Sequence, residues 1–153
     1  MISQRLRELK IAIPTLAKPV GSYIPAVKFW NLVTTSGQLP ISDGRVLTPG
    51  RVGKEVNQEK AQFAAKAALI NALAAIQWCA GDLEKIKKVV RLNGFVCSAI
   101  GFTDQAKVMN AASDLLIQIF GEPIGSHTRT AIGVLELPMG ACVELDLTVL
   151  VAW

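Results

Sequence analysis

Across 153 residues the chain has one histidine, one tyrosine and three cysteines, and only 18% of its residues are charged. Each scarcity excludes something. Cys79, Cys97 and Cys142 are odd in number and far apart, with no C-x-x-C and no metal-ligand spacing, which excludes a disulfide framework and points to a reducing compartment. Their expected role is that of small buried apolar side chains. There is no metal cluster, catalytic triad, P-loop or dinucleotide fingerprint. No cofactor and no metal are implied. The opening MISQRLRELKIAIP lacks an apolar stretch of signal-peptide length and reads as a short amphipathic helix. The longest uncharged run, 67–81, is too short for a bilayer and contains Asn71 and Gln77. No membrane contact is expected, and the expected location is the cytoplasm.

What the chain has in abundance is apolar surface. Hydrophobic residues make up 51%, above the usual share for a soluble domain, so part of the surface is expected to be covered, most simply by other copies of the chain. The length suits one domain, 1–153, with residues 1–18 as a helical extension. The net charge of +4 permits attraction to anions, but the basic residues are scattered and only Lys85, Lys87 and Lys88 cluster. Nucleic-acid binding is therefore allowed but not indicated.

Pro14, Pro19 and Gly21 mark a loop, after which 23–29 and 31–36, rich in β-branched and aromatic residues, read as strands. Residues 40–53 form a turn-rich excursion with at most a short strand. A helix follows, capped by Asn57, carrying Glu59 in its first turn and closed by Gly81. Its expected buried stripe is Phe63, Ala67, Ile70, Ala74 and Trp78, and its many alanines would let it approach a sheet closely. A strand over 87–98, with Gly94 as a bulge, precedes a second helix that begins after Thr103 and stops at Gly121 before Pro123. The last strands, 128–136 and 141–151, are joined by a Pro/Gly turn at 137–140 and read as a hairpin. The order ββ, α, β, α, ββ implies an α+β fold, one mixed β-sheet with two helices packed on one face. Nothing remains to cover the other face, and self-association through it is the expected answer.

Arg129 and Glu144 stand on either side of the last turn. A guanidinium can grip a carboxylate bidentately, with selectivity that lysine lacks; its alternative is an ion pair with Asp146 or Glu136 of a neighbour. A carboxylate in an apolar strand is costly unless hydrogen-bonded or used, so Glu144 is the candidate to hold and deprotonate a water; its alternative is a solvated polar face. Alternation puts Cys142, Glu144 and Asp146 on one face and Val143, Leu145 and Leu147 on the other. In a hairpin symmetric about Pro138 and Met139, Arg129 pairs near Thr148 and Glu144 near Gly133, about 13 Å apart along the strands. A shared pocket would then draw Arg129 from one chain and Glu144 from another. His127 shares a face with Arg129 and Ala131, either lining the same pocket or serving as a hydrogen-bonded structural residue.

Four segments in order, G-S-Y at 21–23, T-S-G-Q-L-P at 35–40, the helix segment ending in Asn110, and R-x(7)-L-P-x(5)-E from Arg129 to Glu144, together resemble the RidA family of reactive-intermediate imine deaminases, formerly YjgF or L-PSP endoribonucleases. The resemblance covers residues from about 19 to 153. It implies a chorismate-mutase-like fold and a homotrimer with active sites in the clefts between subunits. It also implies Tyr23, Ser36, Asn110, Arg129 and Glu144 as pocket residues, of which Arg129 and Glu144 would be catalytic. Ala131 departs from the pattern, since deaminating members usually carry a cysteine there. The implied activity is hydrolysis of a small carboxylated imine or enamine to a 2-keto acid and ammonia. Two alternatives are a non-catalytic small-metabolite binder and an endoribonuclease acting on single-stranded RNA. Against the latter stand the modest charge and the lack of an aromatic platform beside a basic groove.

Overall fold

Asn57 fixes the start of the long helix, accepting the Lys60 backbone N–H on Oδ1 at 2.8 Å, and Gly81, with φ +87°, closes it. The resulting helix α2 spans Gln58–Ala80. The structure is a computed structural model describing residues 1–16 and 21–152. The loop marker Pro19 and the 18/19 boundary of the N-terminal extension lie outside these residues. Around α2 the chain runs through α1 (Ile2–Glu8), β1 (Ala26–Phe29), β2 (Leu32–Thr35) and a small hairpin of β3 (Ile41–Ser42) and β4 (Arg45–Val46). After α2 come β5 (Ile86–Cys97), α3 (Gln105–Phe120), a turn of helix α4 (Glu122–Gly125), β6 (Thr128–Val134) and β7 (Val143–Val151). The element order and the α+β class agree with the sequence reading. The excursion at 40–53 carries two short strands where at most one was expected.

The main sheet has the order β1-β2-β7-β5-β6. Here the structure overturns the expected terminal hairpin. β5 lies between β6 and β7, pairing parallel with the first and antiparallel with the second. Parallel pairing demands a crossover, which α3 provides. Residues 135–142 carry the chain around the end of β5, held by Cys97 N–H donating to the Cys142 carbonyl at 2.9 Å. That connection exceeds the usual hairpin loop of about 2–5 residues, long enough to step over a strand.

Both long helices pack on one face. Val143, Leu145, Leu147, Val149 and Val151 turn inward from β7 and are fully or almost fully buried against Ala64, Ala68, Leu69, Ala72, Leu73 and Ile76 of α2. The expected stripe is thus rotated. Phe63 and Trp78 are 59% and 56% exposed, because the gap beneath α2 is set by alanine and leucine and is too narrow for aromatic rings. By length and composition α2 is apolar enough to cross a bilayer, and its burial on the sheet accounts for that apolarity. Gly94 is not a bulge. The irregularities in β5 fall between Ile86 and Lys88 and between Val89 and Arg91, while a Cβ on Gly94 would stand 2.5 Å from Met109 Cγ. Glycine there admits α3 to the sheet.

Gly125 has the same function against a backbone instead of a side chain. An added Cβ would lie 2.7 Å from the Leu116 carbonyl oxygen, part of the α3 backbone, which cannot swing aside as the Met109 side chain can. Gly125→Ala is expected to lower unfolding free energy by about 1–3 kcal/mol, read as a drop in denaturant midpoint at unchanged m.

The second face of the sheet is open. Its flanks are apolar, with Val27, Phe29, Leu32 and Ile132 exposed. Its centre is a polar row. Asn93 donates to Asp146 at 2.8 Å, Arg91 donates to Asn93 at 2.9 Å and to Thr130, and the Thr34 and Thr148 hydroxyls bond at 2.9 Å.

Candidate functional site

Strand alternation decides where the candidate residues point. Arg129 pairs with Leu92, whose side chain enters the core, so Arg129 projects to the helix-covered face of the edge strand β6. Glu144 pairs with Phe95, and its neighbours Val143 and Leu145 are buried, so Glu144 projects to the open face. Within one chain the two residues lie on opposite faces, two strands across and three residues along. That amounts to about 14 Å between their backbones. The hairpin premise was wrong, but the separation it suggested is present.

Two clusters result. In the first, Arg129 Nη1 donates to Asn110 Oδ1 at 2.8 Å and to Ser113 Oγ at 3.1 Å, and Nη2 donates to the Ala106 carbonyl at 3.3 Å. All three acceptors belong to α3 and all are neutral. Among the described residues no carboxylate pairs with this guanidinium. Of its five N–H groups, Nε–H and one on Nη2 have no partner among those residues. The possible structural partners are occupied elsewhere, Glu136 by Arg51 and Asp146 by Asn93. His127 joins this cluster indirectly, with Nε2 at 2.9 Å from Ser113 Oγ and Nδ1 at 2.6 Å from the Gly125 carbonyl. Ser113 is the residue that sequence reading missed, since a single serine on a helix carries no pattern. Ala131 faces the same side as Arg129, packed against the core opposite Gly94.

The second cluster holds Glu144, Ser36 and Tyr23. Gln38 pairs with Leu145 as an isolated bridge, which lays the segment 36–38 beside β7. The Glu144 carboxylate rests directly over Gly37, where a Cβ would overlap its Oε1 at 2.1 Å, so any side chain there would displace the carboxylate. Ser36 Oγ donates to the Ile24 carbonyl at 2.7 Å, and its N–H donates to Pro25 O at 2.8 Å, tying residues 24–25 to this loop. Tyr23 precedes that tie and is 53% exposed, its ring against Gly21. Partial burial first, and then the nearby Asp146, push the Glu144 carboxyl above the ordinary carboxylate range.

A concavity of about 420 Å³ opens between α2 and α3 with Asn110 in its wall, and another of about 330 Å³ is lined by Lys88, His127 and Thr128 among others. Neither contains Arg129 or Glu144. The thiols offer no alternative nucleophile, because burial pushes Cys79, Cys97 and Cys142 all upward.

The arrangement has relatives. A sequence model of the family described as "YjgF/chorismate mutase-like, putative endoribonuclease" matches residues 3–149. Protein TCP17 of Trypanosoma cruzi is 39% identical over 145 residues, covering 95% of this chain and 91% of that protein. A 2-iminobutanoate/2-iminopropanoate deaminase of Dermatophagoides farinae is 29% identical over 142 residues, covering 92% of this chain and 94% of that protein. Among solved structures, the protein Atu1372 of unknown function from Agrobacterium tumefaciens superimposes with a TM-score of 0.91 at 41% identity, covering 99% of this chain and 92% of that one.

Proposed function

The chain belongs to the YjgF/chorismate mutase-like family, and on that footing we propose that it hydrolyses small 2-imino acids to 2-keto acids and ammonia, in a cleft that two copies of the chain complete. One observation carries the reading. A partly buried guanidinium is held by three neutral acceptors and has no counter-charge among the described residues, which is the state of a group awaiting an anion. The deaminase among the relatives gives that anion a chemical class, a carboxylate beside a C=N bond.

In this reading Arg129 binds the substrate carboxylate and Glu144 of a neighbouring subunit holds a water. The water oxygen bonds to the imine carbon as one of its protons passes to Glu144. That proton is returned to nitrogen, giving a carbinolamine. The remaining hydroxyl proton then passes through the same carboxylate to nitrogen as the C–N bond breaks, so that ammonia leaves while the carbonyl forms. An upward-shifted carboxyl is a stronger base than an ordinary one, which suits the proton abstraction. Ser36, Tyr23 and Asn110 would complete the polar edges. Because an imine also hydrolyses unaided, orientation and one base suffice, and the absence of a cysteine at Ala131 removes no required step.

The opposite faces occupied by Arg129 and Glu144, the exposed Val27, Phe29, Leu32 and Ile132 on the open face, and the free edge of β6 support assembly as a homotrimer. The reaction needs neither a membrane nor a cofactor and fits the cytoplasm, where such imines arise in amino-acid breakdown.

The test is ammonia release from freshly generated 2-iminobutanoate and 2-iminopropanoate, with the 2-keto acid quantified in parallel. Release faster than in buffer, in equal amounts of both products, is expected. No acceleration, with 2-oxobutanoate still bound, would favour the metabolite-binder reading that Ala131 permits. Cleavage of single-stranded RNA, with binding that falls steeply as salt rises, would replace the deaminase by the nuclease.

A further inference from the structure

Ser113 and His127 take part in no step of that reaction, yet they stand directly behind Arg129. The hydrogen positions in this row follow from chemistry alone. The Gly125 carbonyl can only accept, so His127 Nδ1 carries a proton and donates across 2.6 Å. In the neutral ring Nε2 then accepts, the Ser113 hydroxyl donates to it across 2.9 Å, and an Oγ lone pair is left for Arg129 Nη1 at 3.1 Å. Each bond thus orients the next. The row begins at a fixed point, because Gly125 is pressed onto the α3 backbone. Asn110, one turn before Ser113 on the same helix, takes the other Nη1 hydrogen.

We propose that Ser113 and His127 are positioning residues for Arg129: the row from Gly125 through both side chains fixes the guanidinium plane, so that the Nε/Nη2 edge alone is presented to a ligand carboxylate. This rests on the carboxylate-binding reading of Arg129 and differs from the direct ligand contact that sequence suggests for His127. Saturating Nη1 with neutral acceptors has two consequences. Rotation of the guanidinium is stopped before the ligand arrives, which removes part of the ordering cost of binding. The full positive charge is also kept for the ligand, because no carboxylate among the described residues shares it.

His127 is the chain's single histidine, so its imidazole signal is identified in an NMR spectrum without further assignment. The probe is 2-oxobutanoate, the product, titrated into wild type, Arg129→Ala, Ser113→Ala, Ser113→Thr, His127→Asn and the double variant Ser113→Ala/His127→Asn. Kd is read for each, with KM and kcat for imine hydrolysis alongside. Removing one charge-assisted bond and the orientation it imposes is expected to raise Kd and KM about tenfold in Ser113→Ala with kcat nearly unchanged. Ser113→Thr, which keeps the hydroxyl, restores most of the affinity. The double variant is no worse than Ser113→Ala, since both changes cut one row.

In wild type the ¹⁵N shifts are expected to report Nδ1–H with an accepting Nε2, and the Nε2 signal moves as 2-oxobutanoate saturates. A Kd in Ser113→Ala equal to that of wild type, while Arg129→Ala loses binding, overturns the proposal and leaves the function standing. Absent ammonia release with these Kd differences intact overturns the function and leaves the positioning row standing. Should the variants fail to fold, wild type alone decides: a neutral ring protonated on Nε2, or a signal unmoved at saturation, overturns the proposal.

Discussion

Arg129→Ala is expected to lower kcat/KM for 2-iminobutanoate about a hundredfold or more. A bidentate fork on a carboxylate makes two charge-assisted bonds, each worth roughly 1.5–3 kcal/mol, and the lower end of that range already gives about two decades in rate. Partial exposure at the sheet edge argues for the lower end. Arg129→Lys recovers little, because one ammonium cannot keep the Asn110, Ser113 and Ala106 bonds and also present two parallel donors. Stability moves far less. Asn110 is exposed and can turn to water, so the cost of truncation stays near 1 kcal/mol. Steady-state ammonia release and a thermal melt on the same preparation check both halves. A variant that loses stability but keeps its kcat/KM would make Arg129 a structural residue.

This asymmetry between activity and stability has its origin in what each residue signals in the sequence. Asn57, Gly81 and Gly121 are local signals, since a cap or a left-handed residue acts on its own turn, and the structure keeps all three where expected. Strand partners are not local. Residues 128–134 and 143–151 alternate as hairpin arms would, yet the twelve residues of β5 pair with both and separate them. Nothing within either arm encodes that choice. The same holds for the buried side of α2. Spacing fits both the bulky stripe through Phe63 and Trp78 and the small one through Ala64, Ala68 and Leu69, and how closely the sheet approaches decides between them.

At the site the pattern repeats. The R-x(7)-L-P-x(5)-E spacing made Arg129 and Glu144 visible, but their opposite faces follow from the interposed β5. Ser113 became visible only when α3 was laid over β6, and Gly37 only when the Glu144 carboxylate was found resting on it.

Glu144→Gln separates function from stability in the opposite sense. Loss of a general base is expected to cut kcat about 10²- to 10⁴-fold, while the amide keeps the shape that packs over Gly37. The stability effect carries a definite sign. The folded-state pKa of Glu144 is raised, by burial first and Asp146 second, so the folded protein holds that proton to higher pH than the unfolded chain does. Stability from this group is therefore present at acid pH, falls as pH rises from the unfolded pKa through the folded one, and stays lower above it. Glutamine removes the titration. The variant should be at least as stable as wild type at neutral pH, with the advantage vanishing in acid, as followed by melts across the pH range. The same substitution reports whose carboxylate serves which arginine. When Arg129→Ala and Glu144→Gln chains are co-assembled at equal amounts, a cyclic assembly with one residue from each neighbour regains intact sites at about one in four, whereas sites built within single chains regain none. Recovery toward that quarter would tie the two faces of the sheet to one reaction, and its absence in demonstrably mixed oligomers would leave Arg129 and Glu144 serving separate purposes.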